Sequence, residues 1–583
     1  MTNTDVARAF NELANLLDFK GEDTFRVQAY RRVARTVAEL PEDVEAVAAR
    51  GELAGLPGVG DAMADKLQEL LGTGRLALRA ELAAEVPETL LRLLDVPTLG
   101  PKKIALLWKE RGIRSLEDLK AALDNGTLIG LRGFGAKSLE HIERGVEFLE
   151  RSAGLTRLGD AWRVSTQIRE AVLAIPGVQQ VARSGALRRG CETVRGLDML
   201  CVTDNPAPVL HHFTGLPFVK QVLAVGATWA SVMIDVYVGH SMQVALRVVP
   251  DKNFGAAWQY FTGNGAHNAR LRELAGRRGW TLSEQGLISG KRLVAAKTEE
   301  EIYAALNVPW IPPEMREDTG ELSLDKVPAD LVSVERMRGD MHMHTTASDG
   351  RHTLEEMALA ARERGYQYIC ITEHSQSSAI AGGLRVPELL EHVAAIRAAG
   401  EKLEDIQLLA GTEVDILADG SLDYPDDVLA KLDFVVASIH SGLGYDVESN
   451  TRRTIAAMHN PFVNCIGHPT GRLINERDSI PLDIEAVCRE AVRTGTALEI
   501  NANYYRLDLR DQHARVARDH GATLVINTDA HAVDQLDQMH FGVLTARRAW
   551  LRDHDVLNTR TIREVGHFVA LKRSRRPTPG PAS

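Results

Sequence analysis

The C-terminal part of the chain contains seven short apolar runs that each end in residues able to ligate a metal. They are GDMHMH (339–344), YQYICITEH (366–374), IQLLAGTEVDI (406–416), FVVASIH (434–440), FVNCIGH (462–468), ALEIN (497–501) and TLVINTDAH (523–531). Amphipathic helical stretches separate these runs. Repeated strand–helix units predict a parallel barrel, in which functional groups collect at the C-terminal ends of the strands. The sequence therefore predicts an α/β domain with a seven-stranded β/α barrel over residues 336–572.

The strand ends supply nine candidate metal ligands. They are His342, His344, Asp349, His374, Glu413, His440, His468, Asp529 and His531. Glu499 and Asn501 end a further strand, ALEIN. A single histidine at a strand end is more often a core residue, but seven coinciding strand ends argue against that interpretation. Mixed imidazole and carboxylate donors suit Zn²⁺, Mn²⁺ or Fe²⁺, so we expect two or three divalent ions at about three or four protein ligands each.

Composition and charge limit the class of protein. At about 150 residues per domain, 583 residues correspond to roughly four domains. The 44% hydrophobic and 25% charged residues are typical of globular chains, and 14 of the 19 histidines follow residue 335. A net charge of −11 excludes a strongly basic DNA-coating protein, but it allows a nucleic-acid enzyme with local basic surfaces.

Three features predict the compartment. The sequence contains no apolar run of about 18 residues, so no membrane span is expected. Its first 23 residues lack the cationic and long apolar regions of a secretory signal. Five scattered cysteines without a CxxC pair favour a reducing, cytoplasmic compartment.

Residues 1–150 are predicted to be a helical domain with three similar glycine breaks. The breaks are LPGVG (56–60), VPTLG (96–100) and LRGFG (131–135), and a short helix carrying lysine follows each one. Glycine permits a tight turn and close approach, and a helix N-terminus attracts an anion. A glycine that only ends a helix is the alternative, but three copies favour sequence-independent binding of DNA phosphates. The candidate DNA-binding residues are Gly58, Gly60, Lys66, Gly100, Lys102, Lys103, Gly133, Gly135 and Lys137.

The middle of the chain changes character. Short β-branched runs alternate with helices over residues 151–310, which predicts an α/β or α+β domain. Residues 311–335 are rich in proline and acidic residues, and we interpret them as a linker or draped connection. We expect the terminal residues 573–583 to be a disordered tail.

Two segments carry a resemblance to a known family. The glycine breaks resemble helix-hairpin-helix motifs, and SGALRRGCETVRGLDMLCV (184–202) with QVALRVVPDKNFGAAWQYFTGNGAHNARLR (243–272) resembles the palm and thumb of X-family DNA polymerases. The resemblance implies deoxynucleotide triphosphates and gapped DNA as ligands. It assigns nucleotide contacts to Gly185, Arg188, Tyr260, Phe261, Gly263, Asn268 and Arg272. Lys66 falls where some members of the family carry a Schiff-base lysine.

The family holds two metal ions with three aspartates, and this chain keeps one of the three. Asp198 remains, whereas Gly196 and Ala245 stand at the other two positions. Asp235 is either a replacement carboxylate or a residue that faces solvent. One carboxylate is a poor site for two Mg²⁺ or Mn²⁺ ions, so we expect polymerase activity to be weak or lost.

The C-terminal domain resembles the PHP family, a seven-stranded distorted barrel with a trinuclear metal site. All nine candidate ligands match positions of that site, although Glu373 stands where the family usually has Asp. In domain order the whole chain resembles the bacterial PolX form of X-family polymerases. The resemblance implies metal-dependent phosphodiester hydrolysis, in which Arg472 and Arg506 either clamp the phosphate or form salt bridges at the barrel rim.

The sequence thus predicts a DNA-repair enzyme with an intact 3′→5′ exonuclease and phosphoesterase site and a compromised polymerase site. Its substrate is expected to be gapped, nicked or 3′-ended DNA, without a membrane partner. Three alternatives remain: an active gap-filling DNA polymerase with an accessory nuclease, a non-catalytic DNA-end scaffold, and a small-molecule phosphatase.

Overall fold

The computed structural model describes residues 1, 3–40, 42–96, 99–237 and 240–575. The chain divides into two compact units. The first contains Met1–Ala153 with Asn475–Arg477, and the second contains Gly154–Ile474 with Asp478–Ser583. The segments predicted as separate domains over 151–310 and 336–572 therefore pack into one unit. Among the described residues, no helix is both long enough and apolar enough to cross a bilayer.

The first unit is helical. Its helices are α1 (Asn3–Lys20), α2 (Thr24–Glu39), α3 (Val44–Ala49), α4 (Asp61–Thr73), α5 (Ala77–Ala83), α6 (Pro101–Arg111), α7 (Leu116–Asp124) and α8 (Ala136–Ser152). Their apolar faces share one core, to which Phe10, Tyr30, Leu67, Ile104 and Ile142 contribute. Amphipathic helices that meet in this way are held mainly by burial of apolar surface.

The second unit begins with an α+β module. Its elements are β1 (Thr156–Arg157), α9 (Leu158–Leu173), β2 (Gln180–Arg183), α10 (Gly185–Arg188), β3 (Thr193–Val194), β4 (Gly196–Val202), α11 (Pro206–Thr214), β5 (Val219–Val225), β6 (Trp229–Tyr237), β7 (His240–Val249), α12 (Phe254–Thr262), α13 (Gly265–Gly276), β8 (Trp280–Ser283), β9 (Gly286–Ser289), β10 (Arg292–Ala295) and α14 (Glu299–Ala305). A five-stranded sheet has the order β2-β4-β7-β6-β5. Strands β4 and β7 run parallel, and their register places Asp198 directly beside Ala245.

Of the two alternatives for residues 311–335, a linker or a draped connection, the structure favours the second for the start of the segment. Ile311 and Met315 are fully buried in a core that they share with the end of the α+β module. Arg316 is also buried, and its guanidinium donates to both carboxylate oxygens of Glu299 at 2.7 and 2.9 Å. The apolar residues and this ion pair hold residues 311–316 against the end of the α+β module.

The rest of the second unit is the predicted barrel. Its elements are β11 (Gly339–Asp340), α15 (Leu354–Glu363), β12 (Tyr368–Ile371), α16 (Val386–Gly400), β13 (Gln407–Asp415), α17 (Asp426–Leu429), β14 (Phe434–Ser438), α18 (Val447–His459), β15 (Cys465–Ile466), α19 (Ile484–Thr494), β16 (Ala497–Asn501), α20 (Asp511–Asp519), β17 (Leu524–Asn527), α21 (Met539–Arg548) and α22 (Ile562–Ser574). The seven strands pair in sequence order, all in parallel. A bridge between Met343 and Ala530 joins the ends of the first and last strands. The nearly closed barrel confirms the predicted fold class.

The C-terminal helix extends into the predicted tail. Helix α22 continues to Ser574, Arg573 donates to the carbonyl of Leu432, and Arg575 donates to the carbonyl of Val492 at 3.1 Å. The prediction of disorder is therefore wrong for residues 573–575, because their side chains reach carbonyl groups of the barrel. The remainder of the predicted tail, residues 576–583, lies outside the described residues.

Candidate metal centre and DNA-binding sites

All nine candidate ligands lie at the C-terminal ends of the barrel strands. They are His342, His344 and Asp349 after β11, His374 after β12, Glu413 near the end of β13, His440 after β14, His468 after β15, and Asp529 and His531 after β17. Because parallel strands present their C-terminal ends at one end of a barrel, separated sequence segments converge there.

The ligand atoms form three overlapping groups, within each of which all atoms lie within 4.8 Å of one another. The groups are His344, Asp349, His374 and His531; then His342, His344 and Asp529; then His374, Glu413 and His440. Two histidines, His344 and His374, belong to two groups each. Since a neutral imidazole has one free lone pair, each of them would hold an ion in only one of its groups. His468 is outside these groups, but its Nε2 lies 2.8 Å from Oε1 of Glu413.

The donor set fits divalent metal ions. Within the described residues, both nitrogens of His344 and Nε2 of His342 are buried without a hydrogen-bond partner. A buried nitrogen without a partner is costly, and a metal ion is a partner that this geometry admits. The nine-ligand prediction is thus compatible with metal binding, and the identity of the metal stays a prediction.

The electrostatics of the cluster keep its carboxylates ionised. Burial alone would raise the pKa of Glu413, but His440, His342 and His374 hold it well below its usual range. Burial lowers the pKa of His374, but the carboxylates of Glu413 and Asp349 outweigh this effect and raise that pKa to about 10. Since a ligating imidazole must be neutral, metal binding to this cluster should release protons.

Two carboxylates outside the predicted ligand set orient its histidines. Asp415 Oδ1 lies 2.5 Å from Nδ1 of His440, and Glu499 Oε1 lies 2.8 Å from Nδ1 of His342. Each contact leaves the other ring nitrogen, Nε2, directed at the cluster. The sequence analysis missed Asp415, although its position two residues after Glu413 on one strand was an available signal. Glu499 was noted only as a strand-end residue.

Glu373 also acts through its neighbours. Its carboxylate accepts hydrogen bonds from the amide of Thr345 at 3.1 Å and from the hydroxyl of Thr345 at 2.5 Å. It thereby anchors the turn that carries His344 and Asp349, which agrees with the expectation that Glu373 is not itself a ligand.

The two arginines predicted as alternative phosphate clamps differ in their surroundings. Arg506 lies beside the cluster, with Nε 3.6 Å from Oδ2 of Asp529. Arg472 is buried instead against the α+β module, where Nη1 lies 2.7 Å from Glu192 and Nη2 donates to the carbonyl of Leu507. Arg472 therefore forms a salt bridge, which was one of its two predicted roles. Its partner, Glu192, belongs to the α+β module, and the sequence did not indicate that this module packs on the barrel.

The polymerase-like site contains one of three expected carboxylates. Asp198 and Gly196 lie two residues apart on β4 and therefore on one face, and Ala245 is the partner of Asp198 on β7. Partial burial raises the pKa of Asp198, and Arg247, 4.0 Å away, opposes this shift. Asp235 is half exposed and pairs with Lys220 at 3.0 Å, which supports the solvent-facing interpretation.

The predicted nucleotide contacts surround this site, but several are already engaged. Arg188 donates to both oxygens of Glu299 at 2.7 and 2.9 Å, and its guanidinium stacks on Trp258. Asn268 donates to the carbonyls of Tyr260 and Gly263, which lie on either side of Phe261. The turn from Tyr260 to Gly263 is thus fixed by Asn268.

Two further residues complete the predicted set. Gly185 has a positive φ of 61°, which favours a glycine at this position, and it lies beside Asp198. Arg272, on α13, is exposed to solvent. The nucleotide-binding role of all these residues stays a prediction.

Within the described residues, the three glycine breaks end in the same way. Gly60, Gly100 and Gly135 are the N-cap residues of α4, α6 and α8, with φ between −91° and −71°. The apolar residue before each of them is buried, while a Cβ built on any of the three would meet no atom within 4 Å. Gly58 and Gly133 have positive φ, whereas the matching Thr98 lies outside the described residues. The starts of α4, α6 and α8 therefore lie beside open space, although Pro101 leaves α6 without its first amide.

The lysines of the hairpins lie on the helices that follow. Lys102 and Lys137 are exposed, and Lys66 and Lys103 are partly exposed. Lys103 lies 5.8 Å from the ring centre of Phe134, the buried residue of the third break. The lysines can add positive charge near the amides, and their contact with DNA stays a prediction.

Comparison with protein families identifies four segments. Residues 1–76 match a helix-hairpin-helix domain, residues 90–142 a SAM-like helix-hairpin-helix tandem, residues 257–317 the DNA polymerase beta thumb, and residues 340–503 the PHP domain. The thumb match extends past residue 310, in agreement with the packed segment that follows it.

Comparison with characterised sequences gives full-length and partial relatives. The chain is 38% identical over 576 residues to the DNA polymerase/3′-5′ exonuclease PolX of Bacillus subtilis, which covers 98% of this chain and 100% of that protein. It is 31% identical over 233 residues to a probable phosphatase of Thermoanaerobacter sp., covering 38% of this chain and 89% of that protein. A probable phosphatase of Caldanaerobacter subterraneus is 31% identical over 247 residues, covering 40% and 92%.

Proposed function

The chain belongs to the PolX family, and on that premise we propose that it is a metal-dependent 3′→5′ exonuclease and phosphodiesterase acting on DNA. The observation that carries the proposal is the convergence of imidazole and carboxylate atoms from separate strands into three groups, each within 4.8 Å. Divalent ions held there supply Lewis acidity for phosphodiester hydrolysis. The mixed donors favour Zn²⁺, Mn²⁺ or Fe²⁺.

The protein's own residues would prepare this site. Asp415 and Glu499 fix the rings of His440 and His342, so that their Nε2 atoms face the cluster without reorganisation. Arg506 adds a positive charge beside Asp529, where the substrate phosphate would approach. The helix-hairpin-helix unit would hold the DNA backbone independently of base sequence.

Polymerase activity is proposed to be weak or lost. The register of β4 and β7 puts Ala245, which cannot ligate a metal, beside the only remaining carboxylate of the expected three. An active gap-filling polymerase is the second candidate, because the B. subtilis relative named as a polymerase matches over the whole chain. Under this alternative, gapped DNA and deoxynucleotide triphosphates are ligands of the α+β module, and primer extension on gapped DNA distinguishes the two candidates.

The location is proposed to be the cytoplasm. All five cysteines are free, and four of them are buried. Unpaired buried thiols are typical of proteins in a reducing compartment.

The test is digestion of oligonucleotides labelled at one end. After removal of metal with a chelator, the full chain is supplied separately with Mn²⁺, Zn²⁺, Fe²⁺ or Mg²⁺. We expect a ladder of products shortened from the 3′ end, and faster digestion with Mn²⁺, Zn²⁺ or Fe²⁺ than with Mg²⁺. Absence of digestion with every ion would refute the proposal, and preferential hydrolysis of small phosphomonoesters would favour a phosphatase.

A further inference from the structure

The loop after β16 carries Arg506 to the metal centre on a strained turn. Nε of Arg506 lies 3.6 Å from Oδ2 of Asp529, and the arginine side chain is 19% exposed. The next residue, Leu507, has a φ of 43°, which is uncommon for residues other than glycine. Such a backbone conformation costs free energy and persists only where the surroundings hold it. The position of Arg506 therefore depends on the groups that hold Leu507.

Leu507 is held against the α+β module by its side chain and by its carbonyl group. The side chain is buried in the apolar core of that module. The carbonyl accepts a hydrogen bond from Nη2 of Arg472, which lies in the loop after β15. Ile474, in the same loop, is buried in the same core, and its amide donates to the carbonyl of Tyr505 at 2.6 Å. Two loops at the metal-binding end of the barrel are thus joined to each other against the α+β module.

Glu192 of the α+β module bridges one arginine from each of these loops. Its Oε2 lies 2.7 Å from Nη1 of Arg472, and its Oε1 lies 3.1 Å from Nη2 of Arg510, at the end of the loop after β16. The backbone of Glu192 is fixed as well, because its carbonyl accepts a hydrogen bond from the amide of Leu158 at 3.0 Å. The side chain of Arg472 is only 7% exposed, so its charge needs a partner inside the protein, and Glu192 supplies that partner.

We propose that Glu192 is a positioning residue of the nuclease site in the barrel: through Arg472 it holds the turn at Leu507 and thereby keeps Arg506 beside the metal cluster. The proposal rests on the proposed nuclease function. It gives the α+β module a role in that function, although two carboxylates of the module's own polymerase-like site are missing. An arginine that is already in place loses little conformational entropy when it binds a phosphate.

A carboxylate that only fastens the α+β module to the barrel is the alternative, and Glu314 provides a matched control. Glu314 lies in the segment after α14, and its Oε1 is 3.0 Å from Nε of Arg547 on α21 of the barrel. Within the described residues, no hydrogen bond or ion pair joins Glu314 or Arg547 to the loops after β15 and β16. Substitution of Glu314 by Ala thus removes a comparable ion pair to the barrel and leaves the turn at Leu507 in place.

The first arm of the test follows the turn without catalysis. The amides of Arg506 and Leu507 donate to the carbonyl of Asn503 at 2.7 and 2.9 Å, so hydrogen–deuterium exchange of the full chain in chelator reports on the turn. In Glu192→Ala these amides should exchange about 10- to 150-fold faster, the factor that corresponds to loss of one hydrogen bond to a charged group. In Glu314→Ala they should exchange as in wild type. Equal exchange in wild type and Glu192→Ala would overturn the proposal. Glu192→Gln, which keeps the shape of the side chain, provides the same comparison if Glu192→Ala does not fold.

The second arm measures kcat/KM for digestion of a labelled oligonucleotide with Mn²⁺. Glu192→Ala should lose about 10- to 100-fold, since displacement of a catalytic group by about 1 Å can cost about 100-fold, and Glu314→Ala should lose little. Added to Arg506→Ala, the Glu192→Ala change should cause no further loss, because both substitutions remove the same interaction with the substrate. A further loss of the same size in the double variant, or wild-type digestion by Arg506→Ala, would refute the positioning role. A wild type that digests no DNA would refute the nuclease proposal instead.

Discussion

Removal of single ligands should empty different parts of the metal cluster. Asp529 shares a group with His342 and His344, with its Oδ1 3.5 and 3.2 Å from their Nε2 atoms. Replacement of Asp529 by Ala leaves two imidazoles in that group. Replacement of His440 by Ala leaves His374 and Glu413 in another group. Because a stable site needs about three or four protein ligands, each variant should lose one ion and retain the rest.

The expected loss of activity follows from the role of each residue. Removing a carboxylate that only orients a ligand costs about 10- to 100-fold in metal affinity or activity, so Asp415→Asn should fall in this range. Removing a ligand itself should exceed it, with 3′-end trimming reduced at least about 100-fold in Asp529→Ala and His440→Ala.

The measurements are metal content by elemental mass spectrometry and digestion of a labelled oligonucleotide with Mn²⁺. DNA affinity, followed by fluorescence anisotropy, serves as the control and should barely change, because the hairpins belong to the other compact unit. Wild-type digestion by both ligand variants would remove the barrel from the mechanism. A parallel fall in DNA affinity would mean that the substitutions act through folding or binding.

Three further predictions address the other sites. Replacing the N-cap glycines of α4, α6 and α8 by Leu should weaken salt-dependent DNA binding. The fold should not be destabilised, because the φ values of these glycines are negative and the space beside them is open. Equal DNA affinity of wild type and variant across a salt titration would show that these glycines only end helices. Ala245→Asp should begin to restore primer extension on a gapped substrate, and the double variant with Gly196→Asp should restore more. The gain at residue 196 is limited because a Cβ there would lie only 3.0 Å from a carbonyl oxygen. Strong primer extension by wild type, unaffected by Asp198→Ala, would disprove the prediction that the missing carboxylates limit polymerisation. Burial lowers the pKa of Lys572 from 10.5 to about 7, so between pH 7 and 10.5 the unfolded chain binds more protons than the folded one, and the free energy of unfolding should rise with pH. Urea unfolding at several pH values should show a smaller rise of this free energy with pH for Lys572→Met. An equal rise in wild type and variant would contradict the prediction.

The sequence alone was sufficient for the fold class and for the convergence of the candidate ligands at one end of the barrel. Alternation along a strand puts His342 and His344 on one side, and a parallel barrel brings all strand ends together. These are properties of local periodicity and of one architecture, so they can be inferred without coordinates. The same holds for the glycine breaks, since a turn followed by a helix start depends on only a few neighbouring residues.

The partners of buried charges were decided by the tertiary structure. Arg472 and Arg506 have the same chemistry and similar sequence settings, yet one meets Glu192 and the other approaches Asp529. Arg188 and Arg316 share Glu299, which makes the segment after residue 310 part of the fold. A buried ion pair requires two side chains that packing brings together from distant positions, and sequence spacing contains no information about which pairs will meet. The periodicity of the sequence thus determined which residues face the centre of the barrel. The packing of the modules decided which charged side chains are held in ion pairs and which remain available to a substrate.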